Sequence, residues 1–190
     1  YRMVIPNRSG CGYTDSAIIN LDMSNPFRYD IKKRKIKVSA DLITEDIINV
    51  KDMAFEGPLF DASLVEEVGL PLKDLFIIFD DTDYCHRIQR VTNVGFVKDA
   101  HLYKQIIPHR DPSALMGWKN YYGYRNQYWF DITYGTNVFV KKLRPLLNHI
   151  DLVLRAIYRR KWSNIRVLNK AYYDGTHNIL GKTVIPGTNI

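Results

Sequence analysis

The apolar run Leu75, Phe76, Ile77, Ile78 and Phe79 stops abruptly at Asp80, Asp81, Thr82 and Asp83. A short apolar run bounded by polar signals reads as a buried strand, and the stretch 84–91 that follows has helical character. The aspartates are therefore expected at a strand-to-helix junction, which points to an α/β domain. Carboxylates near a helix start accept its orphan amide hydrogens and favour its dipole. Three within four residues exceed what capping needs, because like charges repel. Asp83 has Arg87 one turn on as an ion-pair partner. That leaves Asp80 or Asp81 for chemistry, as a base or in a metal site.

The rest of the chain is read around that junction. Met3, Val4 and Ile5 predict an incoming strand, and residues 31–38 a short edge strand whose lysines guard it against pairing. A strand-like stretch over 50–59 is broken at Gly57-Pro58. Asp61 is placed to cap a helix over 62–68, which Gly69 ends with Pro71 just beyond. Residues 96–103 predict another strand. From 113 to 160 the pattern is helical: Leu115, Trp118, Tyr122 and Trp129 recur at helical spacing. A broader stripe follows in Phe139, Leu143, Leu146, Leu147, Ile150, Val153, Leu154 and Ile157. Pro145 is expected to kink that second helix or to mark a break before it. Mixed strands and helices therefore come first and helices alone come later, which divides the chain into 1–110 and 111–190.

Net charge is +7, and residues 141–170 hold nine basic side chains against one acidic. An anionic partner is implied: a phosphate-bearing substrate, a membrane face or a nucleic acid. No apolar run reaches the length of a membrane-spanning helix, and residues 1–7 lack the pattern of a signal peptide. They read as the middle of a longer chain. Cys11 and Cys85 have no metal-ligand spacing and are expected as free thiols in a reducing cytosol. No glycine-rich phosphate loop follows a strand, so a nucleotide-binding half is expected upstream of Tyr1.

Three segments in order carry a resemblance: residues 55–60 (Phe-Glu-Gly-Pro-Leu-Phe), residues 68–71 (Val-Gly-Leu-Pro), and residues 76–88, with Asp80-Asp81-Thr82-Asp83-Tyr84 at their centre. A fourth, residues 118–126 from Trp118 to Arg125-Asn126, agrees with them, and Tyr173-Asp174-Gly175 is a weaker match. Together they resemble the second half of family 2 glycosyltransferases, closest to bacterial galactofuranosyl- and rhamnosyltransferases that build cell-wall or capsular polysaccharide. The resemblance covers residues 50–183.

It implies part of a GT-A (Rossmann-like) fold and an inverting transfer of galactofuranose, rhamnose or a similar sugar. The donor is a nucleotide sugar, and the acceptor is a glycan or a polyprenyl-diphosphate-linked glycan. The family's paired acidic residues fall on Asp80 and Asp81, with Asp81 as the base. A carboxylate there can take the acceptor hydroxyl proton if it lies within ~3 Å of it. Burial beside Phe79 and Tyr84 raises such a pKa and a helix N-terminus lowers it. Glu56 and Gly57 match the loop before the acceptor pocket, and Asp83 and Trp118 join them as substrate contacts. Phe55, Tyr84 and Trp118 are candidates to stack on sugar. His101 is the natural match to a metal-binding histidine, ahead of His86 and His109. Mg or Mn is implied for the complete enzyme, whose Asp-X-Asp motif lies upstream, and not for this chain alone. The basic C-terminal helices suit a lipid-linked acceptor and peripheral contact with an anionic membrane from the cytoplasmic side; a homo-oligomer is also in view. Two other readings stay open at this point. One is a non-catalytic domain that keeps a transferase fold. The other is a basic nucleic-acid- or anion-binding module, suggested by the Tyr/Arg interleaving of residues 121–129.

Overall fold

The computed structural model describes residues 1–105 and 115–188. His109, the expected start of the helical region and the expected boundary at 110/111 lie outside them. In chain order the elements are β1 (Met3–Gly10), β2 (Tyr13–Thr14), β3 (Ser16–Leu21), α1 (Ile31–Arg34), β4 (Lys35–Ser39), β5 (Ile47–Val50) and β6 (Leu59–Phe60). Then come α2 (Ser63–Val68), α3 (Asp80–Ile88), β7 (Val94–Tyr103), α4 (Trp118–Tyr134), α5 (Val138–Tyr158) and α6 (Trp162–Thr176). The architecture is mixed α/β with helices towards the C-terminus.

Two compact units interleave along the chain. The first holds residues 1–21, 35–71 and 81–110; the second holds 22–34, 72–80 and 111–190. In the first unit the sheet runs β2-β1-β7-β5, with β6 also paired to β1. β1 and β7 are parallel, starting Met3 to Val94, while β5 and β6 pair antiparallel. Met3, Ile5 and Asn7 are buried in alternation along β1, the period of a strand with one covered face. Central β7 instead buries Val94, Gly95 and Phe96 in succession, as a strand covered on both faces does. Leu64, Tyr84, Cys85 and Ile88 from α2 and α3 complete this core. A separate two-stranded ribbon pairs β3 with β4.

Gly69 ends α2 at φ 76°, its amide bonded to the Val65 carbonyl, as the sequence predicts; the helix begins at Ser63 with Ala62 at the cap position, and Asp61, one residue earlier, accepts from the Ser63 amide at 3.0 Å. Two strand predictions are corrected. Residues 31–34 form a helical turn before β4 begins. In the stretch 50–59, pairing closes at Val50 and resumes only at Leu59.

The second unit packs α4, α5 and α6 around Tyr121, Tyr122, Tyr128, Val167, Ala171 and Val184. α4 approaches α6 so closely that a Cβ on Gly175 would meet the Arg125 carbonyl oxygen at 2.5 Å. Only glycine fits there. This core is rich in polar groups. Arg34 and Arg144 are fully buried on either side of the fully buried Asp131. Arg34 donates to both oxygens of that carboxylate, at 2.5 and 2.9 Å. Arg144 reaches it at 3.5 Å and also donates to the carbonyls of Asp22 and Asn25.

α5 is capped by Asn137, whose side chain accepts from the Val140 amide. Of the two outcomes expected at Pro145, a kink or a break, the break does not occur, since the helix continues through it. Lys141, whose carbonyl loses its helical partner to the proline, is exposed, so water can supply the bond. The apolar stripe of α5 is only partly covered, with Leu143, Leu147 and Val153 half-buried. Phe139, Leu146, Ile150, Leu154 and Ile157 are all exposed. Among the described residues no helix is long and apolar enough to cross a membrane.

Candidate functional site: a pinned loop and an acidic helix start

The run 75–79 is buried at Leu75 and Phe79, yet it forms no strand. A 3-10 turn over Lys73–Leu75 leads into three residues with positive φ: Phe76 at 64°, Ile78 at 66° and Phe79 at 73°. Apolar composition foretold burial here but not backbone geometry. Non-glycine residues in this region cost about 1–3 kcal/mol each and persist only where the surroundings over-determine them.

The surroundings are residues of the same unit. The Asn126 side-chain amide donates to the carbonyl oxygens of Leu75 (2.8 Å), Ile77 (3.0 Å) and Ile78 (2.7 Å). An amide nitrogen has two hydrogens, so at least one is shared. Arg125 donates to the carbonyls of Asp74 and Leu75, each at 3.2 Å, and its Nε holds the Asn126 Oδ1 at 2.8 Å. That last bond fixes which way the Asn126 amide faces. Phe76 lies on Tyr122 with ring centres 4.8 Å apart, and Phe79 on Phe130 at 5.6 Å. A polar pair inside the tyrosine-rich stripe of α4 was the signal for this role. The sequence alone assigned Arg125 and Asn126 none.

The pinned loop runs directly into α3, whose first residues are Asp80 and Asp81. Both are half-buried. One Asp81 oxygen accepts from the Thr82 amide at 2.8 Å. Asp83 is fully buried, and its carboxylate accepts from Arg87 Nε at 2.9 Å, as the spacing predicts. Arg87 also donates to the carbonyls of Val68 and Leu70. Asp83 thus orients a guanidinium that ties α3 to the end of α2. Tyr84, a candidate for sugar stacking, is 1% exposed and belongs to the core. Its hydroxyl has no hydrogen-bond partner.

Glu56 and Gly57 lie in the first unit with Asp81 and Asp83. Phe55, beside them, packs edge-on against Tyr84 at 5.8 Å and near Phe60 at 6.0 Å. The loop carrying Glu56 and the helix carrying Asp81 are thereby fixed to one aromatic cluster. Glu56 is bonded by Lys104 at 2.7 Å and Arg8 at 3.2 Å. The Lys104 hydrogen bond, opposed by partial burial and helped by Arg8, holds its carboxyl below the usual range. Gly57 has φ 71°, and a Cβ there would lie 2.6 Å from Leu102 Cδ1. The Leu102 methyl can shift, so the left-handed backbone itself accounts for the glycine.

His101 is exposed on β7, opposite Asn7 of β1 and stacked on Tyr103 at 6.0 Å. Among the described residues no group of three or more His, Cys, Asp or Glu side chains converges to hold a metal ion. The residues around His101 thus do not assemble a donor set, and no step is derived through a metal. Trp118 belongs to the second unit, where it opens α4 half-buried with its ring 6.4 Å from Tyr122. An open cleft of about 740 Å³ in that unit is lined by Ile132, Thr136, Lys141, Lys142 and Tyr172 among others. None of the predicted site residues lines it.

The chain matches no family model, no curated protein and no solved structure.

Proposed function

We propose that this chain is the acceptor-side part of an inverting, nucleotide-sugar-dependent glycosyltransferase with a GT-A fold, and that Asp81 is its general base. The observation that carries the reading is the Asn126 amide. It joins two segments that separately resemble the family, 76–88 and 118–126, by holding the loop that leads to the acidic pair. A third segment, 55–60, reaches α3 through Phe55 and Tyr84. Within the second unit Asn126 fixes the loop that ends at Asp80, and within the first unit Phe55 packs on Tyr84 of the helix that carries Asp81.

In this reading the acceptor hydroxyl attacks the anomeric carbon while the nucleoside diphosphate leaves from the opposite face. The hydroxyl proton passes to the Asp81 carboxylate as the new glycosidic bond forms. Asp81 is suited to this by its half-buried position at a helix start, with its orientation limited by the Thr82 amide. Asp80 precedes it at the start of α3, and Glu56 offers an ionised acceptor for sugar hydroxyls. Donor nucleotide and divalent metal belong to residues outside this chain.

The test is Asp81→Asn in the protein carrying its donor-binding half. Turnover with nucleotide sugar and acceptor is expected to fall roughly 10²-fold or more, with an unchanged circular dichroism spectrum. Near-normal turnover removes Asp81 as base.

A further inference from the structure

Helix α5 is turned inside out. Its buried side carries Val140, Arg144, Pro145, Asn148 and Ala156. Its outer side carries the apolar stripe, with Phe139 65% exposed, Ile150 44% and Leu154 59%. Phe139, Leu143, Leu146, Ile150, Val153 and Ile157 follow one another at intervals of 4, 3, 4, 3 and 4 residues. That alternation is the spacing of a helix–helix seam.

The seam is also symmetric about Asn148. Phe139 and Ile157 lie equally far from it, as do Leu143 and Val153, and Leu146 and Ile150. A two-fold axis through that point, perpendicular to the helix, sets an apolar side chain opposite an apolar side chain at all six positions of an antiparallel pair. Such a patch is self-complementary, as an isologous interface requires. The margins agree. Leu147, one residue from the axis, comes within two residues of Leu147 in the other copy. By helical periodicity Lys141 and Arg155 project away from the stripe, and Arg155 is paired to Asp151 on its own helix.

We propose that α5 is a self-association surface on which a second copy of this chain docks antiparallel, about a two-fold axis at Asn148. A bilayer is the weaker fit. An interfacial helix carries basic side chains along the margins of its apolar face, and one margin here holds Leu147, Asp151 and Tyr158. The stripe from two copies buries on the order of 1,000 Å², close to the lower limit for a specific interface. The dimer is accordingly weak and concentration-dependent. This inference stands apart from the transferase reading, since it uses none of the site residues.

Sedimentation equilibrium tests it. The protein is expected to show a monomer–dimer equilibrium that Leu146→Glu alone and Ile150→Lys alone each abolish. Both positions are exposed, so circular dichroism should not change. The two substitutions in one chain set glutamate against lysine twice across the axis and are expected to restore the dimer. Phe139→Cys with Ile157→Cys in a Cys11→Ser background should form a disulfide between copies; within one helix the two lie ~27 Å apart. A protein that stays monomeric at every concentration overturns the proposal, as does a dimer indifferent to either single substitution. So does a double variant no better than the single ones. A monomer that floats with phosphatidylglycerol vesicles, and loses that binding in Ile150→Lys, overturns it too and assigns the face to lipid.

Discussion

The side-chain nitrogen of Asn126 lies 2.7 Å from the carbonyl oxygen of Ile78, a residue held at φ 66°. The same nitrogen serves Leu75 and Ile77, so one amide offsets the cost of an unfavourable backbone path. Asn126→Ala removes that donor from one buried and two partly buried carbonyls and is expected to lower stability by about 1–3 kcal/mol. Urea denaturation measures this. A loss below about 0.5 kcal/mol, the size of an ordinary surface change, would show that the loop keeps its shape by other means.

Asp131 stands between two buried guanidiniums. Asp131→Asn removes the charge that both face and strands them away from water. The expected loss is about 3–5 kcal/mol, larger than for Arg155→Ala, whose ion pair with Asp151 is exposed and worth at most about 1 kcal/mol. Equal effects for the two substitutions would contradict the burial seen at Arg34 and Arg144.

Acid should destabilise the first unit through Asp15. Burial pushes its carboxyl up, but Arg8 at 2.7 Å and the amides of Ser16 and Arg8 outweigh that and hold it below its ordinary value. A carboxyl lowered in the folded state binds fewer protons there than in the unfolded chain. Its contribution is therefore complete above about pH 4, the unfolded value, and fades as pH falls through the lower folded one. Denaturation midpoints at pH 6 and pH 3 should differ less in Asp15→Asn than in the parent protein. An identical difference in both would mean that other carboxyls govern the acid transition.

The two thiols should behave differently. Cys85 is buried, and desolvation, with the charge of Asp52, pushes its pKa up to about 12. Cys11 is exposed. A thiol reagent at pH 8 should modify one cysteine in the folded protein and two in urea, since the thiolate is the reacting form. Rapid modification of Cys85 in the folded protein would show that α3 opens readily.

Local signals were legible wherever one residue type does one job nearby. Gly69 ends its helix, Asp61 meets the Ser63 amide, and Asp83 takes Arg87 one turn on. The run 75–79 was misread as a strand because its shape is dictated by Arg125 and Asn126, which lie about fifty residues away. The stripe of α5 told which side of the helix is apolar, but periodicity carries no information on whether the same domain covers that side. At the candidate site, Asp80 and Asp81 stood out because too many like charges were crowded together. Lys104 and Arg8, which bond Glu56, gave no such sign, for isolated basic residues look alike until the pairing of β1 with β7 brings them together.

The parallel pairing of β1 with β7 joins Met3 to Val94, and the residues between them supply parts of both units. During synthesis, therefore, β1 can meet β2 and β6 early but waits some ninety residues for its long parallel partner, a slow non-local closure. Neither unit can be completed from an unbroken stretch of polypeptide. Nascent chains halted before Tyr103 should be the ones that chaperones hold and proteases find.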